Sequence, residues 1–385
     1  MPFEFTFLMP CLNEAETLGV CIQKVHAGAR DAGVSAYEIL IADNGSSDGS
    51  QDAAEKENAR VVSIQDKGYG AALRGGIQNS KGKFIIMADA DDSYDWSHIK
   101  PFVEKLRFGT DLVMGSRLKG TILPGAMPPL HRWLGNPVLT WIGNILFGIH
   151  VSDFHCGLRG FRKDAILLLN LQTSGMEFAT EMVAKAGKFG LSMDEVPIVY
   201  HPDGRSRKPH LRTWRDGWRH LTFMLAVSPN WVFLYPGFIL FLFGALGVGA
   251  TMFEPFKIGS VVLDVHTLLV SSLLLITGVQ LLSFWMIARV YSAQTGILPS
   301  SSFVKSLTGG SMLNSGIFLG LLFMFLGLIP FLTSISQWVQ ADFGPLKYEV
   351  TLRLIIPTLT LVIIGMHVFF SSFVIGLMNL GGNEK

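Results

Sequence analysis

The hydrophobic rhythm of the chain changes near residue 230. Beyond it, apolar residues run on for long stretches, and four segments are long enough to cross about 30 Å of hydrocarbon: Trp231–Phe253, Val265–Ile287, Ser315–Val339 and Leu354–Leu380. Before it, short β-rich runs alternate with stretches of helical period. The runs Phe5–Met9, Glu38–Ala42, Arg60–Ile64, Lys83–Ala88, Asp111–Gly115 and Val196–Tyr200 predict strands. Helices are predicted over Ala15–Ala32, Ser50–Asn58, Gly70–Asn79, Ser97–Arg107 and Glu177–Phe189. Such alternation predicts an α/β domain with a mostly parallel sheet, which binds ligands outside the carboxyl ends of its strands.

Two stretches fit neither half. In "RTWRDGWRHLTFML", Trp214, Trp218, Leu221 and Leu225 form one helical stripe, while Arg212, Arg215 and Arg219 form another. That pattern predicts a helix lying in the membrane interface. Residues 131–151 are nearly long enough to span, but Asn136, Pro137 and Asn144 interrupt them. A span there would also put the two parts of the α/β domain on opposite sides of the membrane, so a second interfacial helix is expected. The organisation expected is an α/β domain over 1–204, a basic amphipathic helix over 205–228 and a four-helix membrane region over 229–385.

Composition sharpens this picture. With 49% hydrophobic and only 16% charged residues, the 385-residue chain is too apolar for an ordinary soluble enzyme. A net charge of +1 gives no case for nucleic acid as a partner. Cys11, Cys21 and Cys156 suit neither a disulfide framework nor a metal site and read as buried thiols in a reducing compartment. The N-terminal stretch has no signal-peptide pattern, and Arg205, Arg207, Lys208, Arg212, Arg215, Arg219, Arg289 and Lys305 flank the spans on one side. The positive-inside rule then predicts an integral protein of the cytoplasmic membrane with its first half in the cytoplasm. No predicted span has a charge near its centre, so the bundle reads as an anchor or lipid-binding scaffold rather than a transporter.

Chemistry gathers where the predicted strands end. Asn13 and Glu14 follow the first, and Asp43 closes the second before Asn44-Gly45-Ser46-Ser47. "DKGYGAALRGG" follows the third, and Asp89, Asp91, Asp92 and Asp95 follow the fourth. Each alone is also what a cap or a turn looks like. Four polar strand ends facing one crevice favour a shared ligand site. Neither GxGxxG after the first strand nor GxxxxGK[ST] occurs, which removes dinucleotide and P-loop readings. A helix N-terminus accounts for one or two of the carboxylates. Asp89 and Asp91, two apart at a strand end, need a cation. Hard oxygen ligands at a nucleotide crevice suit Mg2+ or Mn2+ shared with substrate phosphates.

"PCLNEAETL", "DNGSSDGS", "KGYGAALRGG", "DADDSYD", "GSRLKG" and "DFHCGLRGFRKD" appear in this order over roughly residues 5–225. In this the chain resembles the family-2 glycosyltransferases of the GT-A fold, and more narrowly the polyprenyl-phosphate (dolichyl-phosphate) sugar synthases with C-terminal membrane helices. The resemblance implies transfer of a single sugar from a nucleoside-diphosphate sugar to a polyprenyl phosphate, with inversion. UDP-glucose is the first donor to test and GDP-mannose the second. It implies that Asp43 binds the base, that Pro10, Leu12, Asn13 and Glu14 line the nucleoside pocket, and that Lys67 and Gly68 close over it. Asp89, Ala90 and Asp91 match the family's DxD element, in which Asp89 and Asp91 serve sugar and metal. Ser93 stands where many relatives have Gln.

An acceptor phosphate is already largely dianionic at neutral pH, with a second pKa near about 6. Cations matter more to it than a strong base. Arg117, Arg132, Arg205 and Arg207 are the expected acceptor-phosphate residues, and Asp91, Asp153 and Arg117 the expected catalytic ones. Arg159 reads as structural. Glu177 and Glu181 share a helix face, and whether either reaches the site stays open, as does association with a second copy of the chain. Two alternatives remain: a processive polysaccharide synthase, and a membrane scaffold that binds nucleotide-sugar without turnover. Against the first, Pro129 occupies the Gln position of a Q-x-x-R-W element.

Overall fold

The computed structural model describes residues 3–206, 213–307 and 310–381. The described residues form two compact units, Met1–Leu225 and Ala226–Lys385. In the first, seven strands make one sheet: β1 (Phe5–Cys11), β2 (Tyr37–Asp43), β3 (Arg60–Ser63), β4 (Phe84–Met87), β5 (Leu112–Ile122), β6 (Arg159–Arg162) and β7 (Met193–Tyr200). Their order is β3-β2-β1-β4-β6-β5-β7. Every pairing is parallel except those of β6, which runs against both β4 and β5. This is the mostly parallel α/β architecture that the alternation of strands and helices predicts.

The helices of this unit are α1 (Leu18–Asp31), α2 (Ser50–Lys56), α3 (Tyr69–Asn79), α4 (Lys100–Phe108), α5 (Asn136–Phe147), α6 (Lys163–Leu168), α7 (Phe178–Lys188) and α8 (Thr213–Ala226). One core cluster joins alternate residues of the central strands, Phe5, Phe7 and Met9 with Ile39, Ile41 and Ile86, to Trp96 and Phe102. Phe7 meets Trp96 edge-on at 6.3 Å between ring centres. Each such buried side chain contributes about 1.5–3 kcal/mol. The strands are thereby fixed in register, and their carboxyl ends share one edge.

β6 and α6 escape the sequence reading. "RGFR" looks too polar for the middle of a sheet. Arg159 is nonetheless fully buried, donating to the carbonyls of Cys156, Phe154 and Ala179, so its charge is spent on backbone. Gly160 lets α4 pack closely, because a Cβ there would reach Leu106 Cδ1 at 3.0 Å. The stretch expected to be a helix over 131–151 forms a wide π-type turn, His131–Gly135, followed by α5. Trp133, Leu134, Val138, Trp141 and Ile145 are exposed, whereas Gly143 packs on the Phe154 ring. An apolar stripe turned outward is what an interfacial helix needs. In α8, too, Trp214 and Trp218 are 79% and 69% exposed while Asp216, His220 and Met224 are buried. The helix expected from residue 205 is described only from Thr213, and Arg205 itself lies in no regular element.

Among the described residues, the second unit holds four helices long and apolar enough to cross a membrane, over Asn230–Thr251, Val265–Gln294, Leu313–Gln340 and Tyr348–Asn379. They coincide largely with α9 (Tyr235–Thr251), α10 (Val265–Gln294), α12 (Gly310–Gln340) and α13 (Tyr348–Gly381), with the short α11 (Ser302–Leu307) between the second and third. The protein is a membrane protein. Small residues let the helices approach closely: a Cβ on Gly244 would lie 2.3 Å from the Leu275 nitrogen. Arg353 clasps the ends of this unit, donating to the Thr251 carbonyl and the Asp264 carboxylate.

Candidate active site

The polar residues at the ends of β1, β2 and β4 and in the loop after β3 are laced together by hydrogen bonds. Asn13 has a positive φ of 60°, which turns the chain after β1. Its backbone N–H donates to Ser46 Oγ at 2.9 Å, and its side-chain oxygen accepts from the Ser47 N–H at 2.8 Å. The Glu14 N–H donates to Ser50 Oγ at 2.9 Å, and the Ala15 N–H to Asp48 at 3.0 Å. Asn44 plays the same part toward the third loop. Its amide donates to the carbonyls of Ile64 and Asp66 and accepts from the Gly68 N–H at 2.8 Å. Thr17 Oγ1 reaches the Ala90 carbonyl at 2.6 Å and ties the first loop to the acidic one.

Asp43 is fully buried, and its carboxylate accepts from the N–H groups of Gly45 and Ser46 and from Gln51 Nε2 at 2.7 Å. Pro10 is buried in β1, and Leu12 is exposed beside it. Lys67 Nζ donates to the Asn44 carbonyl at 2.8 Å, over Gly45, where a Cβ would strike it. Gly68 has a φ of +126°, so a side chain there would be strained, and its Cβ would lie 2.2 Å from the Ser174 carbonyl. That packing depends on Glu181. Its buried carboxylate accepts from the Gln172 and Thr173 N–H groups and pairs with Lys185, fixing the loop whose Ser174 carbonyl receives the Gly70 N–H at 2.9 Å. Glu181 therefore supports the site from behind it. Glu177 instead pairs with Arg219 of α8 at 3.4 Å.

The four acidic residues divide by task. Asp92 pairs with Lys24 of α1 at 2.6 Å, and Asp95 caps the short helical turn at Trp96–His98 through the Ser97 N–H at 3.0 Å. Asp89 and Asp91 remain for the crevice. Asp89 accepts from the Tyr69 hydroxyl at 2.9 Å, a partner the sequence reading missed although Tyr69 follows Gly68 directly. Burial, with repulsion from Asp91, pushes the Asp89 carboxyl up to about 7. Asp91 accepts from the Ser93 hydroxyl at 2.6 Å on one oxygen and from Arg205 at 2.8 Å on the other. Arg205 also meets Glu14 at 3.2 Å and Asp203 at 3.0 Å. A cluster that raises one member's pKa and draws in a guanidinium is short of positive charge. Its hard oxygen donors fit Mg2+ or Mn2+. Among the described residues no three His, Cys, Asp or Glu form a metal cage, so such an ion would need oxygens from diphosphate or water as well.

Arg117 and Asp153 form a buried fork. Arg117 Nε and Nη2 bond the two Asp153 oxygens at 2.7 and 2.8 Å, and the Arg117 N–H adds a third bond at 3.1 Å. The guanidinium also lies over the Tyr200 ring at 5.2 Å. Burial works against the charge on Arg117, but the Asp153 carboxylate more than offsets it and holds its pKa well above the ordinary arginine value. Burial lowers the pKa of His131, and the Arg117 charge lowers it further. Arg132 lies over the Trp133 ring. Arg207 lies outside the described residues.

Beside Asp153, His155 packs on His220 of α8 with ring centres 4.7 Å apart, and Thr180 Oγ1 lies 2.8 Å from His220 Nδ1. Burial depresses both histidines; the His220 ring and nearby arginines lower His155 further, whereas Glu177 and Asp216 partly offset the lowering of His220. An unfolded histidine takes up its proton near about pH 6.5, and the folded pair only at lower pH. The unfolded state then binds the extra protons as pH falls below that value, so stability is lost on acidification. His220→Gln is expected to lose less melting temperature than the unmodified chain between pH 7 and pH 5.5, as read by thermal melts at each pH. Equal losses would show that this pair does not titrate on unfolding.

Comparison with known proteins gives the following. The family described as Glycosyl transferase family 2 matches residues 6–168, and Glycosyltransferase family 2 C-terminal transmembrane region matches residues 286–379. The low-salt glycan biosynthesis hexosyltransferase Agl6 of Haloferax volcanii is 35% identical over 370 residues, covering 96% of this chain and 87% of that protein. A dolichyl-phosphate hexose transferase of the same organism is 27% identical, over 51% of this chain and 85% of its own length. Among solved structures, glucosyl-3-phosphoglycerate synthase of Mycobacterium tuberculosis with Mn2+, UDP and glucosyl-3-phosphoglycerate is 19% identical. That match covers 59% of this chain and 80% of the other, with a TM-score of 0.47.

Proposed function

The chain belongs to glycosyl transferase family 2, and on that premise we propose that it moves one hexose from a nucleoside-diphosphate sugar to a polyprenyl phosphate at the cytoplasmic face of the membrane. UDP-glucose is the first donor to test and GDP-mannose the second. One observation carries this reading. Asp89 and Asp91 at the end of β4 and the basic groups Arg205, Arg117 and Arg132 belong to the same unit that presents outward apolar stripes on α5 and α8. An anionic donor and an anionic lipid acceptor both need that mixture. The relatives named as a hexosyltransferase and a dolichyl-phosphate hexose transferase support the sugar and the acceptor class.

In this reading a phosphate oxygen of the acceptor attacks the anomeric carbon. The bond from that carbon to the β-phosphate oxygen breaks, and the nucleoside diphosphate leaves with the electron pair. The dianionic nucleophile needs placement rather than deprotonation. Asp43 takes the base, Pro10, Leu12, Asn13 and Glu14 line the nucleoside pocket, and Lys67 and Gly68 close it. Asp89 and Asp91 are the residues that would hold Mg2+ or Mn2+, an ion that would supply positive charge for the leaving diphosphate. With Nε and Nη2 committed to Asp153, Arg117 offers Nη1 to the acceptor phosphate, together with Arg132, Arg205 and Arg207. Arg205, Arg289 and Lys305 set the cytoplasmic side.

Purified full-length protein in nanodiscs, given labelled UDP-glucose or GDP-mannose with undecaprenyl or dolichyl phosphate, is expected to yield a lipid carrying one hexose from one donor, and to stop with EDTA. A growing polymer, or donor binding with no lipid product, overturns the proposal.

A further inference from the structure

After β7 the chain does not leave the site. The His201 N–H donates to the Ser93 carbonyl at 3.0 Å and the Gly204 N–H to the Asp91 carbonyl at 2.9 Å. The Ser206 N–H and hydroxyl bind the Glu16 carboxylate at 2.9 and 2.7 Å. This strap lies on the acidic loop so closely that a Cβ on Gly204 would meet Thr17 Cγ2 at 3.0 Å. Its tip delivers Arg205, only 13% exposed, with Nη1 on Glu14 and Nη2 between Asp91 and Asp203. The Nε of Arg205 is buried without a hydrogen-bond partner, so the guanidinium is held by charge on one side and left short on the other.

A divalent ion sits about 2.0–2.1 Å from a carboxylate oxygen when the ion is Mg2+, which brings it against any guanidinium 2.8 Å from the same Asp91 oxygen. Two cations at that spacing repel strongly in a site largely shielded from water. Arg205 and a divalent ion on the same Asp91 oxygen therefore compete for its charge. We propose that Arg205 is the resident counter-cation of the donor site: it holds Asp91 and Glu14 until metal and nucleotide arrive, is displaced by them, and only then turns to the acceptor phosphate. The inference rests on the donor reading above and adds to it the residue that would link donor binding to the acceptor phosphate. The strap thus holds a residue that the acceptor phosphate would use on the donor carboxylates Asp91 and Glu14.

The test is Mn2+ binding by full-length protein with UDP, and separately with GDP, read from the electron paramagnetic resonance signal of free Mn2+ with no acceptor present. Arg205→Ala removes the competitor, and Arg205→Lys keeps a cation without the fork. Losing a charge-assisted contact of this kind is worth at least about tenfold in affinity. Arg205→Ala is expected to bind Mn2+–nucleotide about tenfold tighter or more, with Arg205→Lys between it and the unmodified chain. Arg205→Ala is also expected to melt lower than the unmodified chain without Mn2+ and to recover with it, while its KM for undecaprenyl phosphate rises. Equal affinity in all three proteins overturns the inference and leaves the donor reading intact, as does weaker binding in Arg205→Ala, which would make Arg205 a diphosphate ligand. Absence of Mn2+–nucleotide binding by the unmodified chain removes the donor reading and the inference with it.

Discussion

Asp91→Asn is expected to lower sugar transfer by about 10²–10³-fold, the scale of losing one preorganised electrostatic group. Asparagine keeps the shape of the side chain and can still accept from Ser93, whose hydroxyl lies 2.6 Å from Asp91. What goes is the negative charge that Arg205 meets at 2.8 Å and that, in the proposed reading, would hold a cation for the leaving diphosphate. Folding should survive, because the substitution relieves the repulsion that raises the Asp89 pKa. Initial rates at saturating donor and Mn2+, with a thermal melt as control, decide the matter. A variant within threefold of the unmodified rate would remove Asp91 from the chemistry and leave Asp89 to carry it.

Sequence pattern reached the fold further than it reached the site. The parallel strands and the four spans were legible because their apolar runs are governed by burial, which repeats with the period of the element. β6 was not, since the burial of Arg159 is satisfied by carbonyls of Cys156, Phe154 and Ala179 that come together only in three dimensions. The same distinction runs through the site. Asp89 and Asp91 stood out as like charges at a strand end. Their division from Asp92 and Asp95 depended on Lys24 and on a helical cap, and the former lies 68 residues away in sequence. Tyr69 and Thr17 matter through one hydroxyl each, and nothing in their local sequence reports where that hydroxyl points. Arg205 was legible as a cation near the end of the domain. That it lies in a strap on Asp91 and Glu14 follows from pairings more than a hundred residues apart in sequence.

Arg117→Ala tests the other half of the site, and stability and catalysis must be separated in reading it. Asp153 is 0% exposed and its two oxygens are both bonded to Arg117. Removing the guanidinium strands a buried carboxylate, which costs about 3–5 kcal/mol and should lower the melting temperature on the order of 10 °C. Activity will fall as well, but a protein that is partly unfolded loses activity for any reason. The paired change Arg117→Leu with Asp153→Leu separates the two effects. It removes both charges and fills the space with apolar volume, and replacing a buried ion pair in this way is often neutral for stability. The double variant is therefore expected to melt near the unmodified temperature and yet transfer sugar at least about 10²-fold more slowly, because the Nη1 group offered to the acceptor phosphate has gone with the pair. Rates at several acceptor concentrations locate the loss, which should appear in the acceptor KM and in kcat while Mn2+–nucleotide affinity holds. If activity returned along with stability, the fork would be scaffolding alone, and Arg132 and Arg205 would be left to receive the phosphate.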